Sequence, residues 1–183
     1  MRQRTPDYPT LYGPRALEHA FSPVPGAMER ARDAGIGITL QHALVYSLAG
    51  NMRTYWGESR TSDCTPSRAW LDSGAVIGAG IDSPVASHDP WLNFYGFATR
   101  DTESAGIQGP QHRISVAEAL HCYTVGSAAI LGQDKFLGSL EVVKAADFIC
   151  LDRDPLSASP EEVRAMVVRS TIVGGRRVFA VDD

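Results

Sequence analysis

Apolar and polar positions along the chain fall into two regimes. From residue 15 to 132, short apolar runs alternate with stretches of helical periodicity. From residue 138 onward the runs are short, β-rich and divided by glycine. Ala16 to Phe21 is a short, largely apolar run that holds Glu18 and His19, and Pro23 and Pro25 stop it. Pro25 stands at a first helical position, Met28 to Arg32 continues as helix former, and Gly35 ends the segment. Ile36 to Leu40 is short and β-rich, as a buried strand is. The polar and aromatic residues from Gly50 to Cys64 read as a long loop. Thr65-Pro66 predicts a helix start with Thr65 as cap, and Gly74 closes that helix. Ala75 to Ile81 is a second, glycine-containing strand that ends on Asp82.

A loop with Pro84 and Pro90 leads into a helix over Trp91 to Thr99. Ser115 and Glu118 form a capping box, and apolar residues at Val116, Ala119, Leu120, Tyr123, Ile130 and Leu131 carry that helix to Gly132. Ala146 to Leu151 reads as a strand, and Ser159-Pro160-Glu161-Glu162 starts a helix that runs to about Arg169. Ser170 to Val173 and Arg177 to Val181 form a hairpin around Gly174-Gly175. The helix and strand order of the first part suits a parallel α/β sheet or barrel, and the tail suits a small β-structure beside it. Residues 1–137 and 138–183 are therefore expected to be two segments of different architecture. Residues 1–17 read as irregular.

Composition narrows the picture. The 183 residues include 17 Lys and Arg against 21 Asp and Glu, a net charge of −4, with 44% apolar residues. This is an ordinary globular balance, and it lacks the basic excess of a nucleic-acid binder. No apolar run approaches the roughly 18 residues of a membrane span, and the polar start lacks the apolar core of a secretory signal. Cys64, Cys122 and Cys150 are odd in number and widely spaced, which speaks for reduced thiols and a cytoplasmic setting.

His19 and Asp82 are the candidates for chemistry, because functional residues gather at the C-terminal ends of strands in α/β folds. An imidazole and a carboxylate can share a divalent metal, and Asp82 can equally serve as general base. The residues alone leave open a hydrogen-bonded structural histidine and a turn aspartate. His42, just past a strand, is either a substrate contact or a loop residue. His88, His112 and His121 read as loop or surface residues. Ser83 and Ser87 lack a G-x-S-x-G elbow, and no phosphate-binding glycine motif is present. Gly78-Ala79-Gly80 reads as a strand that needs close packing, and Arg176-Arg177 as a solvated hairpin.

Several strings together resemble one family. Leu17-Glu18-His19-Ala20 is similar to the "IEHA" element at barrel strand six of the amidohydrolase superfamily, in the branch called amidohydrolase family 3. Ile38 to His42 resembles its strand seven, where "QP" is usual and His42 here replaces the Pro. Gly78 to Val85 resembles the "GSDxPV" element of strand eight. Trp91 to Arg100 resembles the helix ending in "AVTR", and Ser115 to Gly132 the "EAL…YT…A…G" helix. Gly138 to Phe148 resembles "GSLExGKxADF", with Val143 where Gly is usual. Leu151 to Leu156 and Thr171 to Arg176 complete a collinear set over about residues 15–180.

The resemblance implies a metal-dependent hydrolase of carbon–nitrogen bonds other than peptide bonds. The implied architecture is α/β: about strands six to eight of a (β/α)8 barrel plus a small β-sandwich element. It further implies that His19 and Asp82 bind a divalent metal, zinc being the expected one, and that Asp82 also moves the proton of the attacking water. Gln41 and His42 would face a small amide-type substrate, and Asp147 would be structural. The strand-one HxH and the ligands of strands four and five have no counterpart. The chain is thus expected to be the C-terminal portion of a longer enzyme, inactive alone. The alternative is a non-catalytic remnant or interaction module. In either case the partner would be the missing barrel part or a second copy of the chain.

Overall fold

The computed structural model of the chain describes residues 15–181. Its α/β character agrees with the sequence pattern. Residues 1–14 of the segment expected to be irregular lie outside the described residues. The first sheet is parallel, with strands β1 (Ala16–Leu17), β2 (Gly37–Leu40) and β3 (Ile77–Ala79) in the order β1-β2-β3. Leu17 pairs with Ile38, and Leu40 pairs with Ala79, so the C-terminal ends of the strands lie side by side. The second sheet is antiparallel. It joins β4 (Phe148–Leu151), β5 (Val168–Val173) and β6 (Arg176–Ala180), and Gly174 and Gly175 form the turn at φ 56° and 74°. The Asp147 carboxylate accepts from the Gly174 amide at 2.6 Å, a structural task at the hairpin. Among the described residues these two three-stranded sheets form neither a closed barrel nor a two-sheet sandwich.

The helices follow the sequence pattern in part. α1 (Ala27–Asp33) connects β1 to β2 as expected. The segment from Gly50 to Cys64 is not a loop: α2 spans His42–Trp56 and α3 spans Glu58–Ser62. Val45, Ala49 and Met52 recur at helical spacing and bury one face with Cys64, while Ala43 and Leu44 are buried with Ala86, and that burial outweighs the low helix propensity of Gly50 and Asn51. α4 (Ser67–Asp72) begins at Pro66, but the Thr65 hydroxyl does not cap it. Thr65 has φ 47°, its buried hydroxyl has no hydrogen-bond partner, and its carbonyl holds the Ser67 amide at 2.7 Å instead. Asp89 caps α5 (Pro90–Thr99) through the Trp91 amide at 2.9 Å.

The Ser115–Glu118 capping box opens α6 (Val116–His121), which continues through a π-helical turn at Cys122–Gly126 into α7 (Ser127–Ile130). The wider turn has a local cause. Gly126 lies directly against the Ile77 carbonyl, where a Cβ would overlap it, and Ser127 Oγ reaches the Ala79 carbonyl at 3.3 Å. Gly78 is tightly packed too, since a Cβ there would sit 2.8 Å from Ile130 Cδ1. A second capping box, Ser159 with Glu162, opens α8 (Pro160–Arg164), which stops short of Arg169 because Val168 already belongs to β5.

One principal core collects Ile38, Leu40, Ile77, Trp70, Phe97 and Ala119, and Val163 and Met166 from the C-terminal segment join it. Each fully buried large aliphatic side chain contributes about 1.5–3 kcal/mol. Arg164 strengthens the same junction, with its guanidinium 5.3 Å from the Tyr46 ring centroid and 5.0 Å from that of Tyr95. No helix among the described residues is long and apolar enough to cross a membrane.

Candidate active site

His19, Gln41 and Asp82 follow the C-terminal ends of β1, β2 and β3, which lie side by side in the parallel sheet. His19 and Asp82 share an unusual backbone. Their φ values are 69° and 58°, and Ala20 follows at 41°. Left-handed backbone costs non-glycine residues of order 1–3 kcal/mol, and such residues gather where function demands a particular orientation. The apolar run Ala16 to Phe21 therefore yields only two strand residues before the chain turns at His19.

A polar cluster fixes the first of these side chains. His19 Nδ1 lies 3.1 Å from Gln41 Oε1. Gln41 Nε2 donates to Glu18 Oε2 at 3.3 Å and to Thr39 Oγ1 at 2.9 Å, and Thr39 Oγ1 donates to the same Glu18 oxygen. The carboxylate can only accept, so the glutamine amide must face it, and Oε1 is left for His19. In its neutral form His19 then donates from Nδ1 and leaves Nε2 as an acceptor, the tautomer through which a histidine can ligate a metal while an outer hydrogen bond holds it. Asp82 is half-buried, and its carbonyl receives the Val85 and Ala86 amides at 2.9 and 3.2 Å. Its backbone closes the turn and leaves the carboxylate uncommitted among the described residues.

Gln41 and His42 are the residues expected to face a substrate, and their side chains have different surroundings. Gln41 joins the cluster, whereas His42 opens α2 and is 0% exposed. Its Nδ1 lies 3.1 Å from Arg100 Nη1, its ring sits 5.8 Å from Phe97, and its Nε2 has no hydrogen-bond partner. Burial first, and the Arg100 charge second, hold its pKa well below the usual histidine value, against a smaller pull from the Asp101 backbone. Arg100 is fully buried as well, and burial lowers it to about 10. His112 lies 3.4 Å from Asp63, and His88 and His121 are exposed.

Two residues beyond the sequence reading matter here. Asn93, in the middle of apolar α5, accepts from the Ala43 amide at 2.7 Å and donates to the Gly80 carbonyl at 2.7 Å and to Tyr123 Oη at 2.6 Å. Arg100 ends the same helix. The available signal was a lone polar residue inside Trp91-Leu92-Asn93-Phe94, which marks a buried hydrogen-bonding duty but not its partners. Among the described residues no group of three or more His, Cys, Asp or Glu side chains is placed to hold a metal ion. One imidazole and one carboxylate fit a divalent metal in kind but fall short of the three protein donors of a catalytic zinc.

Comparisons with known proteins converge on one family. Residues 5–179 match the sequence model described as "Amidohydrolase family". The N-substituted formamide deformylase of Arthrobacter pascens is 29% identical over 160 residues, covering 87% of this chain and 30% of the relative. An uncharacterized metal-dependent hydrolase from Pyrococcus horikoshii OT3 superposes with a TM-score of 0.69 at 25% identity, over 81% of this chain and 30% of its own. Atrazine chlorohydrolase from Arthrobacter aurescens TC1, complexed with zinc, gives 0.64 at 24% identity over 90% of this chain and 36% of its own, a likeness of fold. The chain spans roughly a third of the length of these relatives.

Proposed function

The chain belongs to the amidohydrolase family, and from that premise we propose that it forms the C-terminal part of a metal-dependent hydrolase of non-peptide carbon–nitrogen bonds. Amides, formamides and cyclic amides are the substrate class. The observation that carries this reading is the 3.1 Å contact of His19 Nδ1 with Gln41 Oε1, which frees Nε2 at the sheet end that also presents Asp82. His19 and Asp82 hold a divalent metal, zinc by the chemistry of the donor set, and the remaining donors come from outside the described residues. When bound, such a metal acidifies water and polarises a carbonyl. Asp82 takes the proton of the attacking water and delivers it to the leaving nitrogen. Gln41 lies beneath the substrate and keeps His19 in its Nδ1–H form.

The surface supports a larger assembly. Leu17 and Val76 are about half exposed on the parallel sheet, and Phe148, Ile149, Val178 and Phe179 are exposed on the antiparallel one. Adjacent strand residues point to opposite faces, so both faces of the second sheet present apolar groups, an arrangement that calls for cover. The remaining parts of the barrel and of the sandwich, in the same polypeptide or from another chain, supply it. Hydrolysis of simple formamides and amides in the presence of zinc tests the proposal. The expected result is no turnover from residues 1–183 alone and turnover once the complementary barrel part is joined. Stoichiometric zinc and turnover from the isolated chain contradict it.

A further inference from the structure

We propose that Arg100 is the positioning residue of this site: from behind the strand ends it fixes the His19 arm by two routes, one through His42 and Gln41, the other through Thr65 and Phe21. The inference rests on the reading of His19 and Gln41 as site residues. Arg100 touches neither of them and acts only through its neighbours.

A buried guanidinium is costly to desolvate, and this one has no carboxylate partner among the described residues. It spends its donors on the carbonyls of Cys64 at 2.7 Å, Thr65 at 3.0 Å and Gln108 at 2.8 Å, and on His42 Nδ1 at 3.1 Å. Three neutral carbonyls do not by themselves require a cation. What the rigid fork of donors provides is a fixed geometry between segments that are far apart in sequence.

The first route runs through an imidazole. Guanidinium nitrogens only donate, so His42 Nδ1 accepts, and the neutral ring carries its proton on Nε2. The ring packs against Gly96 in the space a Cβ there would need, and Phe97 lies 5.8 Å from it on the same helix. His42 is the first residue of α2, and Gln41 precedes it. Anchoring the ring therefore sets where Gln41 presents Oε1 to His19. The second route runs through backbone. Arg100 holds the Thr65 carbonyl, and the Thr65 amide donates to the Phe21 carbonyl at 2.8 Å. Phe21 lies two residues after His19, with the two rings 5.8 Å apart. Thr65 and Arg100 both adopt left-handed φ values, 47° and 62°, at this crossing.

Long-range 1H–15N spectra of the 15N-labelled 183-residue chain at neutral to slightly alkaline pH read both rings, with signals assigned from H19Q and H42Q. The expected wild-type result is His42 as the Nε2–H tautomer and His19 as Nδ1–H. R100K keeps a charge but loses the fork. It is expected to mix the His42 tautomers and displace the His19 signals, R100Q more so, while R53Q moves neither. Q41A breaks the last link of the first route and is expected to displace His19 while leaving the His42 tautomer unchanged. H42Q takes away the ring that Arg100 holds, is expected to displace the His19 signals as well, and decides the matter if neither Arg100 variant folds. His42 as Nδ1–H in the wild type, or His19 signals unmoved in a folded Arg100 variant or in H42Q, overturns the proposal. Zinc added to the wild type separates the two readings. His19 signals that ignore zinc yet respond to R100K count against the metal site and support the positioning role.

Discussion

Asn93 donates its side-chain amide to the Gly80 carbonyl at 2.7 Å, two residues before Asp82. The same side chain accepts from the Ala43 amide, two residues after Gln41. It therefore spaces the Asp82 arm against the Gln41 arm from a fully buried position. N93A leaves a buried amide unpaired, at about 1–3 kcal/mol, and frees a partly buried carbonyl as well. Urea denaturation is expected to show that loss, and a midpoint within error of the wild type would refute the brace.

Gly96 is a glycine inside a helix, where alanine ordinarily gains about 1 kcal/mol. The His42 ring occupies the space of its missing Cβ. Overpacking a rigid, buried ring costs about 1–3 kcal/mol and wins. G96A is expected to lower the melting temperature; a rise would show that the ring can yield.

Val143 stands where the family pattern has glycine, and it takes φ 76° with 92% of its surface exposed. A β-branched residue in that region carries about 1–2 kcal/mol of backbone strain, against roughly 0.5–1 kcal/mol of extra chain entropy for glycine. V143G is expected to stabilise the chain by up to about 1 kcal/mol in the same urea assay. Destabilisation would mean that the side chain makes a contact worth more than the strain.

Acid is expected to weaken the fold through His42. In the unfolded chain this histidine takes up a proton near 6.5, whereas burial and the Arg100 charge keep the folded one neutral to much lower pH. The unfolded state then binds more protons, so the stability present above pH 6.5 is lost as pH falls, by about 1.4 kcal/mol per pH unit for one proton. His112, lowered by its own burial, adds to the slope in the same direction. Unfolding free energy followed from pH 7.5 to 5.5 is expected to slope less steeply in H42Q than in the wild type. Equal slopes would remove His42 from the account.

Local chemistry was legible in the sequence, and long-range duty was not. The strands at Ile36 to Leu40 and Ala75 to Ile81, the Ser115–Glu118 box and the Gly174-Gly175 turn each follow from residues a few positions apart. His19 and Asp82 could be named because strand ends are visible in the hydrophobic pattern. α2 was obscured by Gly50 and Asn51. Gly50 is tolerated there because Ser104 closes against it, a contact 54 positions away. Asn93 and Arg100 act on carbonyls, amides and an imidazole up to 58 positions distant, and backbone carbonyls carry no residue signature. The surroundings of His42 were not legible for the same reason: a histidine one step past a strand can face the site or the helix layer, and its ring packs with Phe97 and Gly96.

The central claim is that Asp82 performs the proton transfer at a site it shares with His19. Asparagine accepts left-handed backbone readily, so D82N preserves the turn at φ 58° while removing the base. The direct measurement is amide or formamide hydrolysis, with zinc present, by the complete enzyme carrying D82N. The account predicts an unchanged melting curve and turnover reduced by at least about 10²-fold, the scale of a lost general base. Turnover at the wild-type rate would contradict it.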